Sequence, residues 1–122
     1  MTLQELYQNI GGDYAQAMRV LLVERLLDKH IRKFPKNGVI ESVLSAGENM
    51  DPTALFETAH TVKGVTANLG LVTISNLASE ITEEFRPGAV RKLTDEQVRE
   101  KLGKMEELYR KTIEGIKQYE EG

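Results

Sequence analysis

Asp51-Pro52-Thr53-Ala54-Leu55-Phe56-Glu57-Thr58-Ala59-His60-Thr61-Val62-Lys63-Gly64-Val65-Thr66-Ala67-Asn68-Leu69-Gly70 reads as a single helix with both ends marked. Asp51 can cap the first turn, and Pro52 sits at the first helical position, where its missing N–H costs nothing. Gly70 is suited to a left-handed cap at the other end. Leu55, Ala59, Val62, Thr66 and Leu69 repeat at alternating spacings of 4 and 3. At 100° per residue they fall within about 40° of Leu55, so they form one core-facing stripe. On the same wheel Lys63 lies near 80°, Ala67 near 120°, His60 near 140° and Gly64 near 180°. The histidine therefore faces away from the core, with Lys63 and Gly64 one turn further on.

Outward from this segment the chain reads as all helix. Thr2 with Glu5 makes a capping box for a short first helix that stops at Gly11-Gly12. Asp13, with Gln16 three positions later, opens a helix running to about Phe34. Its stripe is Val20, Val23, Leu27, Ile31 and Phe34. A short helix follows from about Val39 to Ala46, closed by Gly47. After Gly70 comes a helix carrying Ile74, Leu77, Ala78, Ile81 and Phe85, ended by Pro87-Gly88. Thr94 with Gln97 is another capping box. It begins a long last helix whose Val98, Leu102, Met105, Tyr109, Thr112, Ile116 and Tyr119 again alternate 4 and 3, the seam of a shallow-angle packing. The fold class expected is all-α: an antiparallel four-helix bundle of segments near 14–34, 52–69, 71–86 and 95–121, with two short helices packed outside.

Composition bounds the rest. A chain of 122 residues, 40% hydrophobic, is one domain's worth, and 1–122 is read as a single domain. The absence of Cys removes disulfides, thiolate metal sites and cysteine nucleophiles, and fits a reducing compartment. A net charge of -3 leaves no basic surplus for nucleic acid. Apolar runs stop at about five residues, far short of the roughly twenty of a membrane span. The first residues carry no secretory signal pattern. A cytoplasmic location is expected, with a stand-alone chain favoured by Met1 and by the lack of a trailing linker. Monomer is the default, since the wheels leave no large apolar face unexplained.

The outward patch on the 52–69 helix has an unusual composition. Exposed helix positions ordinarily carry long charged side chains, whereas here a histidine, a glycine and an alanine surround one lysine. A mid-helix glycine costs about 1 kcal/mol relative to alanine. Gly64 at an outward position therefore suggests that something approaches the backbone closely there. An exposed imidazole is largely unprotonated at about pH 7, and its ring nitrogen is a competent nucleophile. Lys63, one turn away, can reach anionic oxygens on anything attached to the ring. Solvent exposure limits such a charge pair to about 1 kcal/mol. The histidine carries the chemistry and the lysine assists it.

Ala59-His60-Thr61-Val62-Lys63-Gly64, continuing through Ala67-Asn68-Leu69-Gly70, resembles the signature of histidine-containing phosphotransfer (HPt) domains. Those helical-bundle modules relay a phosphoryl group between receiver-domain aspartates in two-component signalling. Val62 stands where many members have Leu. The resemblance implies that His60 accepts and later donates the phosphoryl group, that Lys63 steadies its oxygens, and that Gly64 and Ala67 leave room for the receiver. Phe56, near 100° on the wheel, would be either an apolar contact for the docked partner or support for the bundle. Asn68 is expected to bond local backbone at the helix end. The implied partners are receiver domains of response regulators and of a hybrid histidine kinase. No cofactor is expected in this chain, because the divalent ion of the reaction would belong to the receiver. The chain would be a phosphoryl carrier without turnover of its own.

Other readings use the same residues. Glu57 and His60 form the Glu-x-x-His spacing of di-iron bundles, but a second such motif is lacking: Leu27 stands three residues before His30. No metal site is expected, and His30 is read as a flank residue. A hydrolase would need a serine and an orienting acid with His60, and the pattern offers neither. The remaining alternative is a helical docking module that binds a receiver, or another helical partner, without carrying phosphate.

Overall fold

The capping signals are used as the sequence writes them. The computed structural model describes residues 1–122 and contains seven α-helices: α1 Leu3–Ile10, α2 Tyr14–Leu21, α3 Glu24–Lys33, α4 Val39–Asn49, α5 Pro52–Asn68, α6 Val72–Glu84 and α7 Asp95–Glu121. Both capping boxes close reciprocally, Thr2 with Glu5 and Thr94 with Gln97. The Asp51 carboxylate accepts from the backbone N–H of Thr53 and of Ala54, at 3.1 and 3.4 Å. Gly70 follows α5 with φ +69, as a left-handed cap requires.

The bundle itself is assembled differently from the sequence expectation. Its four members are α4, α5, α6 and α7, and each packs on its ring neighbours. α4 takes the place expected for the 14–34 segment and buries Ile40, Val43 and Ala46. It also runs past Gly47, which is buried mid-helix; a Cβ there would collide with Leu102 Cδ1. Gly47 thus serves a close α4–α7 approach rather than a helix stop. Cross-helix contacts fix antiparallel neighbours: Tyr109 donates to Glu41 at 2.9 Å, and Lys101 pairs with Glu80.

The 14–34 segment is two helices, not one. Leu22 adopts φ +70 and Val23 is extended, so the chain turns between α2 and α3. Val20 and Val23, expected in the core, are 42% and 46% exposed, and Leu22 is 75% exposed. The break lets each half bury its own face: Ala17 on α2, then Leu27 and Ile31 on α3. The premise that no apolar face is left over therefore fails at this corner.

α1 packs on the C-terminal half of α7, where a Cβ on Gly115 would collide with Ile10. The Tyr7 hydroxyl donates to Leu69 O at 2.6 Å, and the Asp13 N–H to Gly70 O at 2.8 Å, tying the N-terminal region to the end of α5. One cluster of 25 buried hydrophobic residues runs from Leu3 to Ile116. α5 is thereby held along its whole inner stripe, where Leu55, Ala59, Val62 and Thr66 are fully buried. A rigid helix fixed this way presents its opposite edge in a defined orientation. No helix is long and apolar enough to cross a membrane.

Candidate functional site

Burial of Ala59 and Val62 forces the intervening side chains of α5 outward. His60 is exposed at mid-helix, flanked by the half-buried Phe56 and Lys63 and by the exposed Gly64. The Phe56 and His60 rings lie nearly parallel, 19° apart, with centroids separated by 6.1 Å. That places Phe56 both against the bundle and beside the imidazole, so the two readings offered for it hold together. Ala67, two turns beyond His60, is half-buried.

Gly64 answers the question raised by its cost. A Cβ built there would meet nothing within 4 Å, so no packing contact within the chain calls for glycine. Next to it, the Lys63 backbone carbonyl accepts from the Ser75 hydroxyl at 3.2 Å, which pins α6 to α5. Asn68 is exposed and makes no side-chain hydrogen bond; the local backbone bond expected of it is not formed.

Two residues near the histidine were not legible from spacing on α5. Arg86, just beyond α6, holds its guanidinium carbon 5.5 Å from the centre of the Phe56 ring. Its Nε and NH2 groups donate to the two carboxylate oxygens of Glu83, at 2.7 and 3.1 Å. The Arg86 hydrogen bonds hold the Glu83 carboxyl below the usual carboxylate range, and the charges of Lys63 and His60 push in the same direction. The α5–α6 hairpin thus carries Lys63, His60 and Phe56 on one helix beside Glu83 and Arg86 from the other. The signal for the second pair was the i, i+3 Glu–Arg spacing, which means little until the hairpin register is known.

Past Phe56 an open cleft of about 430 Å³ runs between the start of α5 and the segment after α6, lined among others by Thr53, Glu57, Arg86, Pro87 and Arg91. The wall behind it is braced by Glu84, only 7% exposed. Its carboxylate accepts from Arg91 Nε at 2.8 Å and from the Leu93 N–H at 2.8 Å. Burial works against ionisation of Glu84, but Arg91 and the Leu93 and Lys92 amides outweigh it and hold the carboxyl below its ordinary range.

Chemically, the site is an exposed nucleophilic ring with one cation a turn away and no enclosing pocket. No third acidic or histidine side chain joins Glu57 and His60 in a ligand set. His30 is exposed on α3, in the basic last turn of that helix. A reaction at His60 needs a second molecule to supply the other reactant and to exclude water. No curated protein and no solved structure matches the chain. A family model, that of the Hpt domain, matches residues 2–118.

Proposed function

Because the chain belongs to the Hpt domain family, whose members are phosphocarrier modules of two-component signalling, we propose that His60 is its phosphoryl-accepting residue. The observation that carries this reading is the exposed His60 ring on a rigid helix, beside a Gly64 that nothing in the chain needs to be glycine. A receiver domain docks over this face and aligns its phospho-aspartate with the ring. The lone pair of one imidazole nitrogen forms the N–P bond. The aspartyl P–O bond breaks, and its electron pair stays on the receiver's carboxylate. The reverse step loads a second receiver. Phosphoryl transfer passes through a loose transition state, so positioning and charge carry most of the catalysis. Lys63 supplies a cation for the phosphoryl oxygens, Gly64 and Ala67 give the receiver's loops clearance, and Phe56 meets them as an apolar contact.

The divalent ion that such transfer uses belongs to the receiver, and this chain contributes no ligand to it. The relay partners in this reading are the receiver of a hybrid histidine kinase on one side and a response regulator on the other. The whole chain, 1–122, acts as one module, monomeric and in the cytoplasm. His60→Gln separates the carrier from a docking module: it should keep the helical fold and receiver binding while losing phosphate uptake. Uptake by His60→Gln at the wild-type rate would overturn the assignment. Receiver binding by both forms, with no phosphate on either, would establish the docking module instead.

A further inference from the structure

The Glu83–Arg86 pair stands beside the proposed acceptor without a structural task that would require it. Both side chains are about half exposed, at 55% and 48%, so the pair adds little to stability. Its position is the informative feature. Ser75, Ser79, Glu83 and Arg86 follow one another at spacings of 4, 4 and 3. They lie on one face of α6 and its continuation, which Ser75 anchors to Lys63 and Arg86 closes over Phe56. His60 lies between those two anchor points on α5. The guanidinium, the Phe56 ring and the imidazole form a stacked series, with steps of 5.5 and 6.1 Å.

A phosphoryl group on His60 changes the charge balance of this cluster. It brings about two negative charges to a place where Glu83 is already ionised and where Lys63 is the nearest cation on α5. Glu83 repels the new group. Arg86, one flexible arm away, presents a planar fork that matches phosphoryl oxygens at least as well as a carboxylate. Glu57, the other nearby carboxylate on α5, is exposed and lies on the far side of His60 from Lys63, so it does not compete for the arginine.

We infer that Arg86 is an exchangeable phosphoryl clamp: it rests on Glu83 and Phe56 while His60 is free, and moves to the phosphoryl oxygens when His60 is loaded. Glu83 is then a positioning residue, holding the arginine in readiness and weakening the loaded state by competing for it. This rests on His60 being the acceptor, and the test keeps the two claims apart.

The probe is phosphoramidate, which needs no receiver. The imidazole lone pair forms the N–P bond, the donor's P–N bond breaks, and its nitrogen leaves as ammonia. NMR of the Arg86 Nε–H, before and after loading of the full chain, should show that resonance shifting in the wild type and unmoved in His60→Gln. After donor removal, Arg86→Gln should shorten the phosphohistidine half-life by about two- to five-fold, the range that one exposed charge pair supports. Arg86→Lys should restore part of the loss, and Glu83→Gln should lengthen the half-life. A loaded His60 with an unmoved Arg86 resonance and unchanged half-lives would refute the clamp and leave the acceptor intact. A shorter half-life in Glu83→Gln would also refute it, because the pair would then act as a unit that merely shapes the site. Failure of the wild type to load, with its fold intact, would remove the acceptor reading and the clamp together.

Discussion

Replacement of Gly64 separates stability from function in a way few positions allow. Glycine in a helix interior costs about 0.8–1.0 kcal/mol relative to alanine. A Cβ at Gly64 enters open space, so nothing offsets that gain. Gly64→Ala should therefore stabilise the protein by about 1 kcal/mol, which for a domain of this size raises Tm by about 4 °C. Gly64→Gln should keep most of this gain, because glutamine is also a good helix former. Receiver docking should move the other way. The glutamine side chain stands one turn from His60 and occupies the space a partner backbone would use, so binding should weaken by at least ten-fold, with alanine intermediate. Thermal unfolding followed by circular dichroism gives the first quantity, and titration against a receiver domain gives the second. A destabilised Gly64→Ala would mean that the helix is tighter there than the structure shows. Unchanged receiver affinity in Gly64→Gln would refute the clearance argument outright.

Three further perturbations probe other parts of the account. Lys63→Ala should slow phosphoryl uptake, or shorten the phosphohistidine half-life, by about two- to five-fold, as befits a partly exposed charge; a stopped-flow transfer assay that finds no change removes its assigned role. Gly70→Ala should destabilise by about 2 kcal/mol or more, because φ is +69 and the new Cβ would run into the Asp13 carbonyl, and urea unfolding measures the loss. Glu84→Gln should cost about 2 kcal/mol at neutral pH, where the buried carboxylate accepts from Arg91 and backbone amides. Since folding depresses this carboxyl's pKa, its contribution is complete above the ordinary carboxylate range and disappears as pH falls through the lowered value, so the gap between wild type and variant should close on acidification. A gap that stays constant down to about pH 3 would contradict the assignment.

The features legible in the sequence are those determined locally. Thr2, Asp51 and Thr94 cap the helices they precede, and α5 and α7 follow their alternating stripes, because capping and periodicity act over one or two turns. The outward position of His60, Lys63 and Gly64 follows from that same periodicity. What escaped depends on contacts between helices. Val20-Leu21-Leu22-Val23 contains no helix breaker, yet the chain turns at Leu22, where a positive φ costs on the order of 1 kcal/mol and tertiary packing must over-determine it. Gly47 looks like a stop because glycine ordinarily follows a helix; only the nearness of Leu102 shows why it sits inside one. Misreading that glycine shortened α4 and displaced it from the bundle. Glu83 and Arg86 escaped for a related reason, since their nearness to His60 depends on the α5–α6 register, which Ser75 and Lys63 set across the hairpin.

The central claim, that His60 carries the phosphoryl group, is tested most directly by intact-mass spectrometry after incubation with a phosphorylated receiver domain, wild type beside His60→Gln. The account requires one acid-labile phosphate on the wild type and none on the variant, with both folded. A phosphate of equal stoichiometry on His60→Gln, or an acid-stable adduct on either form, would contradict it.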